Sequence, residues 1–329
     1  MATPRAVMAD ELGPIAHYAL RPHDPGAPRP GQVRVEIRAA GISFADMLTA
    51  SGRYQVRPPV PFIPGSECAG VVEAVGAGVT TLTVGQKVVG TGWHGMFAEA
   101  ALLPEHTTFP MPDTLSFAEG SVLLVSYATV VHALIDRGRL QPGESLLVMG
   151  AGGAVGLAAV TLGRHLGAHV IASASSTEKR ELALAAGAAA VVDARSATWR
   201  ADVKAANGGR ALDMVFDPVG GAATEPAFRL LGWGGRHLVV GFPGGIPALP
   251  TNLPLLKGAS LVGVNIGALP DADPALGRAT HARVLELAAA GVLRPAIART
   301  YPLEAFADAM AEAQRGDSAG RIILEMTGS

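Results

Sequence analysis

Seven mostly small residues, Gly150-Ala151-Gly152-Gly153-Ala154-Val155-Gly156, separate a short apolar run, Leu146–Met149, from a helix-forming run that starts at Val155. A turn of this kind brings backbone N–H groups close to an anion and opens a helix whose first end carries partial positive charge. On the G-x-G-x-x-G spacing of dinucleotide-binding turns, the three positions fall on Ala151, Gly153 and Gly156. The first must be small for a tight turn, the second lets backbone approach a pyrophosphate, and the third lets helix pack on strand. Gly152, Ala154 and Val155 complete the cradle. The competing reading is an ordinary glycine-rich turn, which the strand–turn–helix setting disfavours.

The next strand qualifies the cofactor. NAD sites usually place an acid at its end to hold the ribose hydroxyls. Here His169-Val170-Ile171-Ala172-Ser173-Ala174-Ser175 has no acid before Glu178, and Ser173 and Ser175 leave room for a 2′-phosphate. Ser175 and Glu178 have capping-box spacing, which sets Lys179 and Arg180 in a helix's first turn. Cations there oppose the helix dipole unless an anion lies nearby. Lys179 is therefore the first candidate for the phosphate, with a solvated surface charge as the alternative, and Arg195 is the second. NADPH is the expected cofactor.

Several strand–helix units carry this turn. Leu146–Met149, His169–Ala172, Ala190–Val192, Met214–Phe216, His237–Val240 and Ser260–Val264 read as strands, with helices over Val155–Leu166 and Thr177–Ala186. Such alternation implies a doubly wound parallel sheet of the α/β class. Before it, Val33–Ile37, Ala69–Val75 and Lys87–Val89 are short strands punctuated by Pro58, Pro59, Pro61, Pro64 and Gly65. That texture is β-rich and barrel-like. Ser116-Phe117-Ala118-Glu119 is a capping box opening a helix that runs to about residue 136. After a helix over Ala282–Ala290, the strand Arg321–Met326 returns the chain to the first domain.

The 329 residues are 49% hydrophobic and 16% charged, with 26 Lys+Arg against 28 Asp+Glu, which suits about two domains. No basic stripe exists for nucleic acid, so no nucleic-acid partner is expected. One cysteine, Cys68, excludes an internal disulfide and any multi-cysteine metal site. Ser145–Gly163 is long and uncharged enough to suggest a membrane span, but its glycines divide it into strand, turn and helix. The opening residues reach Asp10 and Glu11 without a signal-peptide core, so a cytoplasmic location away from membranes is expected.

GISFADM (41–47), PFIPGSECAGVVEAVGAGVTTLTVGQKV (61–88), the glycine turn and FDPVGG (216–221) together resemble the medium-chain dehydrogenase/reductase superfamily. Within it the chain is most similar to the zinc-independent quinone oxidoreductases, the group that includes zeta-crystallin. The resemblance implies a GroES-like catalytic domain over 1–125, a Rossmann domain over 126–263, and a return to the catalytic domain over 264–329. It also implies a homodimer formed through the Rossmann sheet edge. Zinc-dependent members carry Cys in G-x-C-x-x-D and His in G-H-E, where this chain has Ser43 and Ser66. Neutral serines are poor zinc ligands, so no metal is expected, and His94 reads as a surface loop residue.

Losing the alcohol proton normally calls on a Lewis acid. Without one, the easier direction is hydride transfer from NADPH to a quinone or α,β-unsaturated carbonyl, which yields a delocalised anion. The protein then orients two flat molecules and donates hydrogen bonds to the forming oxyanion. By resemblance, Tyr54 is the first donor candidate, against a packed aromatic, and Ser43 the second. Asp46 reads as structural. Tyr127 and Thr129 match positions flanking nicotinamide, with core packing the alternative for Tyr127. Gly241, Phe242 and Asn265 match nicotinamide-lining positions, and Arg321 one near the cofactor phosphates; a turn role and a solvated cation compete for the last two. Ala194 stands where relatives often carry tyrosine. Two other functions remain open: an enoyl- or acrylyl-thioester reductase, and a weakly catalytic NADPH-binding structural or RNA-binding protein.

Overall fold

In the computed structural model, which describes residues 3–54, 57–316 and 318–326, Val33, Val35 and Ile37 turn inward from one long strand, Gln32–Ile42. The chain divides into two units, Met1–Val125 with Arg294–Ser329, and Ser126–Leu293. The first unit begins with an antiparallel ribbon of β1 (Arg5–Met8) and β2 (Ala19–Pro22). The long strand is β3; after it come β4 (Glu67–Val75), β5 (Lys87–Thr91), β6 (Ala100–Pro104) and β7 (Thr108–Pro110). Between β3 and β4 stands α1 (Phe44–Ala50), capped by Ser43 and Asp46 in a reciprocal capping box. Phe62, Phe97, Met96 and Ile37 are fully buried in this unit's core, each contributing about 2 kcal/mol through loss of apolar surface from water.

The capping box at Ser116 is present, with Glu119 reaching back to it, but its helix, α2 (Phe117–Gly120), is a single turn. The long helix expected from there is interrupted. Ser121 turns its hydroxyl back onto the Ala118 carbonyl at 2.9 Å, a bond that competes with helix propagation. The helix restarts as α3 (Leu124–Val131) and widens into a π-helical turn over His132–Arg137.

The second unit alternates strand and helix: β8 (Ser145–Val148), α4 (Ala154–His165), β9 (His169–Ala174), α5 (Thr177–Ala185), β10 (Ala190–Asp193), α6 (Trp199–Ala206), β11 (Leu212–Asp217), α7 (Thr224–Phe228), β12 (Leu231–Val239), α8 (Asn252–Lys257) and β13 (Ser260–Gly263). Every pairing in this sheet is parallel, in the order β10-β9-β8-β11-β12-β13. All four residues of β8 are buried, as befits a central parallel strand covered on both faces. The stretch Ser145–Gly163 thus divides into strand, turn and helix. No helix among the described residues is long and apolar enough to cross a membrane.

Two short-range readings change. The cap of α5 is Ser176, whose hydroxyl accepts from the Lys179 amide; Ser175 is not the cap. The helix read over Ala282–Ala290 is the end of a longer one, α10 (Pro274–Ala289), preceded by α9 (Leu269–Ala272). Residues 264–293, expected with the returning segment, fall in the second unit, and the return begins at Arg294. It adds β14 (Ile297–Pro302), α11 (Phe306–Arg315) and β15 (Arg321–Glu325) to the first unit, whose main sheet runs β14-β15-β3-β4-β5-β7 with β6 also paired to β3.

Candidate functional site

Numbered within its own unit, the parallel sheet has the order 3-2-1-4-5-6, so its direction of winding reverses between β8 and β11. In such sheets ligands bind beyond the carboxyl ends of the strands at that reversal. The glycine turn leaves β8 there. Gly150 takes a left-handed φ of 59°, the Ala151 amide bonds the Ser173 carbonyl of β9 at 3.0 Å, and the Gly153 amide bonds the Gly150 carbonyl at 3.0 Å. Gly153 then caps α4 with no side chain to satisfy the helix's first amides.

Three glycines of the turn have different reasons to be glycine. A Cβ on Gly156 would collide with the Gly150 carbonyl oxygen, so helix–turn packing requires its absence. A Cβ on Gly152 would collide with Cβ and Cγ of Lys179, whose aliphatic stem lies along this turn. On Gly153 a Cβ would meet only the Gly150 oxygen, at an ordinary 3.5 Å, and Gly153 is exposed with φ of −86°. Neither backbone nor neighbours demand glycine at Gly153. The space it keeps open suits a group from outside the chain, which is the place of a pyrophosphate on this turn. Ala154 and Val155 beside it are half-buried.

Cations gather at the ends of β9 and β10. Lys179, the third residue of α5, leans over Gly152. Arg180 is held by the Ala174 carbonyl, the Thr177 hydroxyl and Asp193. Arg195 is exposed, with its amide on Asp193 Oδ1. Ser175 stands at the end of β9, half-buried, whereas Ser173 is drawn into the interior, its Oγ accepting from Trp199 Nε1 at 2.8 Å.

A second turn, after β11, closes on the first. Val219 and Pro218 lie over Gly150; a Cβ there would come 2.9 Å from Val219 Cγ2. Gly220 and Gly221 take left-handed φ of 70° and 62°, and the Gly221 and Gly244 amides donate to the Gly245 and Val219 carbonyls, respectively. This brings the segment with Gly241 and the half-exposed Phe242 alongside. Asp217, at the end of β11, organises the turn. Its Oδ1 accepts from the Val219 and Gly220 amides at 2.9 and 2.8 Å, and its Oδ2 from Thr224 Oγ1 at 2.7 Å. His237 Nε2 of β12 lies 3.0 Å from the same Oδ2. Burial works to raise the Asp217 pKa, yet hydrogen bonds from His237, Gly220 and Thr224 together hold it below the ordinary carboxylate value. Sequence reasoning used FDPVGG only as a marker of resemblance. The signal for Asp217 is an acid that follows the apolar run Met214–Phe216 and precedes Pro218; nothing local marks His237.

Farther along the second unit, Asn265 Oδ1 accepts from the Ala268 amide three residues on at 3.2 Å. Tyr127 and Thr129 are buried on α3.

In the first unit, Ser43 donates its hydroxyl proton to Asp46 Oδ2 at 2.6 Å and accepts from the Asp46 amide at 3.0 Å. Its one proton is thereby committed, which removes the donor role expected of it. Burial pushes the Asp46 carboxyl above its ordinary value against those hydrogen bonds. Burial, then the charge of Asp46, pushes the half-buried Tyr54 phenol up as well, so it is a protonated donor at neutral pH. Arg321, expected at the cofactor phosphates, places Nη2 2.7 Å from Glu67 Oε1, and both side chains are buried. Glu67 Oε2 accepts from the Val125 amide, yet burial outweighs both partners and raises its pKa to about 7. Among the described residues, no three His, Cys, Asp or Glu side chains gather as a metal would need.

Two family models match the chain, "Alcohol dehydrogenase GroES-like domain" over residues 29–113 and "Zinc-binding dehydrogenase" over 154–281. Quinone oxidoreductase-like protein 2 of Rattus norvegicus is 35% identical over 325 residues, spanning 98% of this chain and 92% of the relative. A probable oxidoreductase from Mycobacterium abscessus superposes with a TM-score of 0.89 at 32% identity, covering 98% of each chain. Mycobacterial Rv1454c, solved in complex with NADPH, superposes with a TM-score of 0.89 at 25% identity over 98% of this chain and 99% of its own. An oxidoreductase fold of two such units, with relatives this similar across nearly the whole chain, places the protein in the medium-chain dehydrogenase/reductase superfamily, in its zinc-independent quinone oxidoreductase-like group.

Proposed function

We propose that the chain is an NADPH-dependent oxidoreductase that reduces quinones or α,β-unsaturated carbonyls without a metal ion. The observation that carries this reading is Gly153, the one glycine of the turn that the chain's own packing does not require, set before an uncapped helix. The amides opening α4 bind the pyrophosphate, Lys179 and Arg195 neutralise the 2′-phosphate, and Ser175 donates to it. NADPH, once bound, supplies the hydride. Gly241, Phe242 and Asn265 orient the nicotinamide, with Tyr127 and Thr129 supporting it from α3. Tyr54 donates its phenolic hydrogen bond to the oxygen on which negative charge develops. Ser43 and Ser66 stand where zinc-dependent relatives hold metal, and neither is a competent ligand. The exposed β13 edge of the parallel sheet pairs with a second copy in this reading.

Turnover tests it. NADPH oxidation with 1,4-benzoquinone or 9,10-phenanthrenequinone is expected, unchanged by chelator. Lys179→Ala should weaken NADPH about tenfold or more and leave NADH nearly unaffected, since only NADPH carries the extra phosphate. Activity on enoyl thioesters alone would move the substrate class. Tight NADPH binding with no turnover on any of these acceptors would overturn the enzymatic reading.

A further inference from the structure

We propose that His237 is a positioning residue for the cofactor, acting through Asp217 on the turn that closes over Gly150. This rests on the NADPH reading above and adds a residue to it that lies beneath the site.

The geometry is specific about which ring atom matters. His237 is wholly buried on β12, its ring stacked on Phe228 at 5.9 Å between centroids and 29° between planes. Nε2 faces the Asp217 carboxylate at 3.0 Å, so it carries the proton and donates. Nδ1 is buried and, among the described residues, has no hydrogen-bond partner. A buried ring nitrogen left unpaired costs stability, and a leucine would fill a space between β12 and Phe228 without that cost. What the histidine adds is the one bond at Nε2.

That bond completes the set around Asp217. Two backbone amides hold Oδ1, while Thr224 and His237 hold Oδ2, so the carboxylate is fixed from both sides. A fixed carboxylate fixes the Val219 and Gly220 amides, and with them the left-handed glycines at 220 and 221. Val219 presses on Gly150 of the cofactor turn, and Gly221 and Gly244 tie the same segment to the loop carrying Phe242. Both loops that meet the dinucleotide in the proposed function are thereby referenced to one ring nitrogen. Without His237, Oδ2 keeps Thr224 alone, the anchor shared by the two loops is weakened, and the cofactor must order them further on binding.

Glutamine places its amide nitrogen where histidine has Nε2, and asparagine reaches only as far as Nδ1, which here has no partner. The test compares His237→Gln, His237→Asn and His237→Leu with the native chain by two readouts. In unliganded protein, hydrogen exchange of the 217–221 and 241–245 segments should quicken about tenfold in the Asn and Leu variants and return to native rates in the Gln variant. NADPH titration should show affinity falling about tenfold in the same two variants and recovering in Gln, with kcat within about twofold throughout. Equal rates in His237→Leu and native protein would overturn the proposal, as would affinities that ignore loosened loops. Rescue by Asn equal to Gln would also overturn it, because the Nε2 bond would then be irrelevant. Should a variant fail to fold, Thr224→Val, which removes the other donor to Oδ2, replaces it with the same expected loosening. Failure of the native chain to bind NADPH would sink the cofactor reading, and with it the cofactor half of this proposal, while the exchange comparison decides the brace by itself.

Discussion

Glu67 shows how far burial alters one carboxyl. It has a cation and a backbone amide as partners, Arg321 and Val125, and still its pKa rises to about 7 from an ordinary 4.5, because desolvation exceeds what both partners return. Between those two pH values the folded chain holds a proton that the unfolded chain has released. Stability from this group is therefore complete below pH 4.5 and is lost as pH rises through about 7, at up to about 1.4 kcal/mol per pH unit. Glu67→Gln cannot titrate. Its amide must turn N–H toward the Val125 amide or the Arg321 guanidinium, both of them donors, so the variant should be the less stable of the two near pH 5. By pH 8 that deficit should have narrowed, read as urea midpoints that converge. A gap that stayed constant between those pH values would show Glu67 ionised throughout. Nothing near Glu67 in the sequence marks this group's state: it stands beside Ser66 and Cys68 with no cation close by, and its partner Arg321 lies 254 residues along the chain.

At the level of elements, what could be read from neighbouring residues was read, and what depended on register was not. The β8–turn–α4 unit is local and stands at the expected residues, as does the Ser116–Glu119 capping box. Ser175 and Ser176 are adjacent and both suit a cap; the choice is made by β9, whose pairing with β10 extends to Ala174 opposite Asp193 and leaves Ser176 at the helix entry. Ser173 looked available for a phosphate, but strand alternation turns it toward Trp199. Asp217 and His237 meet only because β11 and β12 are parallel neighbours. Within the glycine turn, two alanine substitutions separate fold from function. Gly156→Ala drives a methyl into the Gly150 carbonyl and should cost about 2 kcal/mol or more in stability. Gly153→Ala meets only an ordinary contact and should melt within a few degrees of the native chain, yet lose about tenfold or more in NADPH affinity. Equal destabilisation by both, or native affinity in Gly153→Ala, would remove the case for Gly153 as the cofactor's glycine.

For the whole molecule the question is what becomes of the parallel sheet's open edge. Proteins that remain single blunt such an edge with charge, proline or a covering element. At the β10 end, Arg180 and Asp193 form an ion pair at 3.3 Å beside the strand. β13, at the other end, is Ser260-Leu261-Val262-Gly263, without a charge and largely exposed. The same unit exposes Leu255 at 78% and Leu256 at 70% on the helix before it, and Trp233 at 85%, whose ring lies beside Gly258 between that helix and β13. The Gly263 carbonyl is taken by Arg137 Nε at 3.1 Å, yet an exposed strand without charged side chains, flanked by large apolar ones, suits the second copy proposed above, set across a two-fold axis. Light scattering should therefore give a dimer at micromolar concentration. Leu261→Lys puts a charge on this strand in both copies, and should shift the protein to monomer by at least about tenfold in dissociation constant. Because β13 lies four strands from β9, whose end carries the phosphate-side residues, NADPH affinity should persist in that monomer. A native chain that scatters as a monomer would remove the dimer, and a Leu261→Lys dimer of native affinity would place the contact on a different surface.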